Sequence, residues 1–230
     1  MSNGKILILL TSHSALGDSG KATGFYYEEM TDPYYIFTDS GFEVELASVR
    51  GGKPNHDPGS LPAEEKRAES VKRFLCDSDA LGKLENTSAL SDIAATGYDG
   101  IFLAGGHGAM WDLPESVALA ELLQEFNVTG KVISAVCHGP AGLLAAKDET
   151  GRSIISGKKM TGFSNEEEMM TGLNTVVPFM LEDRLSTLGE YESGPRFRPH
   201  SVVDGNLITG QNPASSKLTA ENVVKVLDAA

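Results

Sequence analysis

The chain has 230 residues, of which 40% are hydrophobic and 22% are charged, and its formal net charge at pH 7 is −13. This composition predicts one globular domain over residues 1–230, and the acidic balance argues against nucleic acid or an anionic membrane as a partner. Two cysteines do not make a disulfide framework, and the first apolar run is too short for a signal peptide or a membrane span. We therefore expect a cytoplasmic protein.

The first part of the chain begins with a continuous apolar run over residues 5–10, typical of a central parallel strand. Residues 11–24 form a polar loop at its carboxyl end, the edge at which open α/β sheets bind ligands. The next predicted elements are a helix from Phe25, a strand over 42–49, an irregular connection over 50–62 and a helix over 63–84. In this last helix the side chain of Cys76 is expected to be packed in the protein interior.

Two adjacent glutamates, Glu28 and Glu29, lie near the start of the first predicted helix. Adjacent helical residues point about 100° apart, so at most one of them faces a pocket well. The other interpretation is that both simply place favourable negative charge at a helix N-terminus.

A glycine cluster follows the strand predicted over 98–104, in the order Gly105, Gly106, His107, Gly108. Glycines at the end of a strand permit close backbone approach to a ligand, and their N–H groups can bind an oxyanion. The spacing fits neither a P-loop nor a dinucleotide fingerprint.

Residues 131–146 combine an apolar strand, a sharp turn and an apolar helical pattern, the order found at a nucleophile elbow. Cys137 lies at the turn, followed by Gly139, which would let the backbone approach a substrate, and by Pro140, which suits a first helical turn. At a helix N-terminus the thiol is expected to have a pKa below its reference of about 8.5. Alternatively, Cys137 is a small core residue. The side chain of His138 is expected to point away from that of Cys137.

The last third of the chain continues the alternation of strands and helices. Its predicted elements are a strand over 159–163, a helix capped by Ser164, a helix over 176–188, a hairpin over 202–209, a loop over 209–213 and a helix over 214–227. The whole pattern predicts a doubly wound α/β fold, with a mostly parallel sheet flanked by helices on both faces.

Four segments together resemble the ThiJ/PfpI superfamily, which has the flavodoxin-like, class I glutamine amidotransferase-like fold. They are AVCHGP, AGGHGAMWDLP, TGFYYEE and LITGQNPAS. Within the superfamily the chain is most similar to the heat-shock and glyoxalase III subgroup, over essentially its entire length.

The resemblance implies a role for each matching residue. Cys137 matches the nucleophile, His138 the histidine that follows it, and Glu29 the acidic residue that hydrogen-bonds the nucleophile. Glu168 matches the acidic residue that orients the histidine. Because three glutamates are consecutive, Glu166 and Glu167 remain alternatives for that role, and their acidic helical turn is also good capping chemistry in its own right.

For the oxyanion and substrate site, the resemblance implies Gly106, His107 and the backbone N–H of His138. It implies no cofactor, no required metal and a homodimer. Aromatic residues at 25–27 and at Trp111 suggest, in addition, a small and closed pocket.

The implied activity is that of a glutathione-independent glyoxalase, which converts methylglyoxal or glyoxal to lactate or glycolate through a Cys137 thiolate. The alternatives from another class are a redox-sensing stress protein and a holdase chaperone, since a reactive exposed thiol suits either. A cysteine peptidase, an amidase or a protein deglycase would share the fold and the thiol chemistry.

Overall fold

The computed structural model of the protein describes residues 3–229. The strands are β1 (Lys5–Leu10), β2 (Glu43–Ser48), β3 (Arg50–Gly52), β4 (Thr87–Ala89), β5 (Gly100–Leu103), β6 (Val132–Val136), β7 (Lys159–Met160), β8 (Glu190–Tyr191), β9 (Ser201–Asp204) and β10 (Leu207–Gly210). The α-helices are α1 (Tyr27–Asp39), α2 (Glu69–Cys76), α3 (Ser78–Glu85), α4 (Ala109–Asp112), α5 (Val117–Val128), α6 (Asn165–Thr171), α7 (Leu181–Ser186) and α8 (Ser216–Asp228).

Eight strands form one sheet in the order β3-β4-β2-β1-β5-β6-β10-β9. The inner pairs are parallel, and antiparallel pairing occurs where β3 and β9 join the two edges. β7 and β8 form a separate two-stranded sheet. The predicted doubly wound, mostly parallel sheet flanked by helices is confirmed. Within residues 3–229, no helix is both long and apolar enough to cross a membrane.

The central strand β1 explains where the site lies. Residues 6–10 are fully buried, as expected of a strand covered on both faces, and β5 and β6 continue the sheet beside it in parallel. The carboxyl ends of these three strands therefore meet at one edge of the sheet. Loop 11–24, the glycine cluster and Cys137 follow directly from that edge.

Some predictions about the helices differ from the structure. The helix predicted over 63–84 is two helices, because the Asp77 side chain accepts the Ala80 N–H at 3.0 Å and so caps α3. Cys76 is exposed, not packed as predicted, since α2 buries Val71 and Phe74 instead. The helix predicted over 176–188 forms only at Leu181–Ser186.

Candidate active site

Cys137 adopts a strained turn at the end of β6. Its φ is +58°, in the left-handed region that non-glycine residues seldom occupy. Its N–H donates to the Gly210 carbonyl at 2.9 Å, and its carbonyl accepts the Phe163 N–H at 2.8 Å. These two bonds hold the residue in the sharp turn that the sequence predicts.

The helix that follows is shorter than predicted. It is a five-residue 3-10 helix at Gly139–Leu143, not an α-helix reaching residue 146. A Cβ on Gly139 would collide with the Leu103 carbonyl. This glycine therefore lets the turn pack against β5, and its approach to a substrate stays a prediction.

His138 contacts the thiol, although its side chain was expected to point away. The Cys137 Sγ and His138 Nδ1 atoms are 3.3 Å apart. Opposite orientation of neighbouring side chains is a property of strands. Here Cys137 is left-handed and His138 has φ −88° and ψ −9°, so the backbone turns and brings both side chains to one side.

Glu168 is the glutamate of α6 that contacts His138. Its Oε2 lies 2.7 Å from His138 Nε2, and its Oε1 lies 3.0 Å from His107 Nε2. Glu166 is exposed and pairs with Arg196, whereas Glu167 is buried and completes the capping box of Ser164. The carboxylate of Glu168 is thus shared by two imidazoles.

The charges of this cluster follow from its contacts. Burial alone would raise the pKa of Glu168, but the hydrogen bonds from His107 and His138 outweigh it and hold the pKa well below its ordinary value. Burial, together with the neighbouring His107, lowers the pKa of His138 despite Glu168. A neutral His138 that donates from Nε2 to the carboxylate keeps Nδ1 unprotonated, ready to accept the thiol proton.

Glu29 is a second neighbour of the thiol and is fully buried. Its Oε2 accepts the Gly105 N–H at 2.9 Å, while Oε1 has no hydrogen-bond partner within the described part of the chain. Burial raises the pKa of Glu29 to about 8, against the lowering effects of Cys137 and Gly105. Glu28, in contrast, is only partly buried and lines the cavity above.

The thiol itself does not have the low pKa that the sequence suggested. Cys137 is only 3% exposed, and burial, followed by the adjacent Glu29, raises its pKa well above the ordinary value. A short 3-10 turn provides little macrodipole to oppose these effects. The resting thiol is therefore protonated, and its proton must pass to His138 when the sulfur reacts.

The backbone around the glycine cluster provides two unused donors. Among residues 3–229, neither the Gly106 N–H nor the His138 N–H donates a hydrogen bond. A Cβ on Gly105 would lie 2.7 Å from His138 N, so this approach of the two segments requires glycine. Two free N–H groups beside a nucleophile are the elements of an oxyanion hole.

His107, His138 and Glu168 also match a metal-ligand set, because one ligand atom from each lies within 4.8 Å of the others. Two imidazoles and a carboxylate suit several divalent transition metals. Here both nitrogens meet the carboxylate directly in hydrogen bonds. The absence of a metal requirement stays a prediction.

A cavity of about 880 Å³ opens above Cys137 and His138. Tyr26, Phe163 and Phe197 are among its lining residues. Trp111 stacks instead on His13, with ring centroids 5.0 Å apart. The small, closed pocket suggested by the aromatic residues is therefore wrong, and the sequence contained no signal for Phe197.

The model of the DJ-1/PfpI family matches residues 21–226 of the chain. The chain belongs to the DJ-1/PfpI family. This confirms the predicted ThiJ/PfpI resemblance, and the site described above lies within the matched residues.

Individual relatives in the family match along nearly the whole chain. The glutathione-independent glyoxalase hsp3101 of Schizosaccharomyces pombe is 34% identical, over 98% of this chain and 96% of its own length. Crystallised glyoxalase III of Candida albicans is 30% identical with a TM-score of 0.91, over 99% of both chains. The Rapid Encystment Protein 24 KDa of Francisella tularensis is 36% identical with a TM-score of 0.93, also over 99% of both chains.

Proposed function

We propose that this DJ-1/PfpI protein is a glutathione-independent glyoxalase that converts methylglyoxal and glyoxal to lactate and glycolate. One observation supports it most: the Cys137 thiol contacts an acceptor nitrogen of His138 and has the buried carboxyl of Glu29 as a neighbour. This arrangement supplies a nucleophile, a base for its proton and a second acid–base group. Relatives named glutathione-independent glyoxalases support the same assignment.

The reaction begins at the aldehyde carbon. As Cys137 Sγ bonds to that carbon, its proton passes to His138 Nδ1, and the carbonyl oxygen becomes an alkoxide facing the N–H groups of Gly106 and His138. The imidazolium then returns the proton to the alkoxide. The product of this step is a neutral hemithioacetal on Cys137.

Isomerisation of the hemithioacetal needs a group that takes a proton from carbon. Glu29 Oε1 removes the hydrogen from the carbon bonded to sulfur, which gives an enediolate. His138 moves a proton from the first oxygen to the second, and Glu29 returns its proton to the second carbon. The result is a thioester of the 2-hydroxy acid. Water, deprotonated by His138, cleaves the thioester and releases the acid and the thiol.

The redox-sensor alternative is weakened by the state of the thiol. Sensor cysteines have low pKa values and are accessible to solvent, whereas Cys137 is buried and its pKa is raised. A sensor also has no need of an imidazole held by a carboxylate. The cytoplasmic location expected from the cysteine content and the short apolar run, and the homodimer implied by the family resemblance, belong to this proposal as well.

Purified protein incubated with methylglyoxal, without glutathione or any other added thiol, is expected to form lactate in equimolar amount to the aldehyde consumed. Lactate is measured with a coupled dehydrogenase, and the aldehyde by derivatisation. The rate is expected to persist in EDTA, since no step of the scheme uses a metal. Consumption of methylglyoxal without lactate would contradict the proposal.

Glu168→Gln is expected to lower kcat/KM by about 100-fold or more, because an amide cannot hold His138 in the same tautomer or stabilise the imidazolium. The matched control is Glu166→Gln, two residues earlier and on the exposed face of α6, which is expected to keep wild-type activity. Equal losses in the two variants would show that the charge of α6, not the contact to His138, matters.

A further inference from the structure

The cavity above Cys137 is much larger than a three-carbon dicarbonyl requires. Its volume of about 880 Å³ lies towards the upper end of the range, about 300–1,000 Å³, of pockets that enclose drug-sized ligands. Methylglyoxal bound to the sulfur would fill only the floor. The remaining volume is available to a larger group on the second carbonyl carbon.

Neighbouring aromatic rings line part of this cavity. The ring centroids of His138 and Phe163 are 4.4 Å apart, and those of Phe163 and Phe197 are 6.2 Å apart. We call Phe163 and Phe197 the aromatic wall. Phe163 is 4% exposed, whereas Phe197, at the mouth, is 42% exposed. An exposed phenylalanine in this position has apolar surface that a ligand could cover.

The backbone of Phe197 is held in a strained conformation that places its ring on the wall. Its φ is +50°, in the left-handed region, which a bulky residue occupies only when its surroundings impose it. The buried carboxylate of Glu167 imposes it, since Oε1 accepts the Phe197 N–H at 2.7 Å. The same carboxylate accepts side-chain N–H groups of Gln211 and Asn212 at 3.0 and 2.8 Å.

We propose that the aromatic wall is a specificity subsite for 2-oxoaldehydes with an aromatic or branched apolar substituent, which the enzyme prefers to methylglyoxal. This rests on the proposed glyoxalase function and extends it to a substrate class. The bonds made and broken are the same, because only the aldehyde carbon and its neighbour react. An aryl 2-oxoaldehyde takes up one water and becomes the corresponding 2-hydroxy acid.

The experiment compares kcat/KM for phenylglyoxal, followed as mandelate, with kcat/KM for methylglyoxal, followed as lactate. Burial of a ring-sized apolar group is expected to favour phenylglyoxal by about tenfold or more. In Phe197→Ala, the ratio of the two kcat/KM values is expected to fall about tenfold. Met169→Ala, which removes an exposed apolar side chain that does not line the cavity, is expected to leave the ratio unchanged.

A second variant guards against a folding defect. Phe197→Gly accepts the positive φ without strain and keeps the backbone bond to Glu167, so it is expected to melt no lower than the wild type. It should lower the ratio as Phe197→Ala does. Turnover of methylglyoxal with no preference for phenylglyoxal, or a ratio unaltered in both variants, would overturn the subsite and leave the glyoxalase proposal standing. Turnover of neither aldehyde would overturn both.

Discussion

Cys137→Ser is expected to reduce lactate formation from methylglyoxal by more than about 1,000-fold. The substitution keeps the size of the side chain but replaces sulfur by a far weaker nucleophile. The hydroxyl has a much higher pKa, and Glu29 and burial, which already raise the pKa of the thiol, would raise it further. The other cysteine, Cys76, cannot compensate, because its side chain is exposed on α2 and does not line the cavity.

Cys76→Ser is the matched control and is expected to retain the wild-type rate and melting temperature. The measurement is steady-state lactate production for both variants, with circular dichroism to show that each is folded. If Cys137→Ser retained more than a tenth of the wild-type rate, covalent catalysis by this residue would be excluded.

The fold was predictable because each central strand has its own local signal. β1 is a continuous apolar run, and the turn after β6 has glycine and proline beside Cys137. The short edge strand β3 was missed, since it consists of Arg50 and two glycines and has neither apolar alternation nor β-branched residues. Its pairing depends on β4, a partner far away in the sequence.

The sequence predicted which residues form the site, but it did not predict their shared contacts or their pKa values. His107 and Glu168 are 61 residues apart, and nothing in their spacing shows that one carboxylate meets two imidazoles. The pKa of Cys137 depends on burial by neighbouring segments and on Glu29, which local sequence does not encode. The positive φ of Phe197 likewise results from tertiary contacts to Glu167.

The raised pKa of the Cys137 thiol determines how the nucleophile is activated. A preformed thiolate would react with many electrophiles and oxidants, whereas a protonated thiol reacts only when His138 takes its proton. The thiolate then forms only during attack on the aldehyde. Hydrogen bonds from the Gly106 and His138 N–H groups to the new oxyanion offset the free energy needed to ionise the thiol.

Glu29→Gln is expected to lower kcat by about 100- to 10,000-fold, the range for loss of a general acid–base group. The amide still accepts the Gly105 N–H, so the geometry is kept while the proton transfer at carbon is lost. In the wild type, kcat is expected to rise with pH towards about 8, the pKa to which burial raises this carboxyl, as the carboxylate form becomes populated. A variant that kept its activity within tenfold would exclude this role.

The same substitution gives a second readout in the free energy of unfolding. The pKa of Glu29 is raised on folding from its ordinary value of 4.5 to about 8, so between these values the folded protein holds a proton that the unfolded chain has released. The free energy of unfolding contributed by this group therefore falls as pH rises through that window, by about 1.4 kcal/mol per pH unit, and levels off above it.

Glu29→Gln is neutral at every pH and should gain stability relative to the wild type between pH 5 and 8. The control Glu121→Gln, on an exposed position of α5, should run parallel to the wild type. Denaturant unfolding at several pH values measures the difference, and parallel curves for Glu29→Gln and the wild type would mean that Glu29 is already ionised in the folded protein.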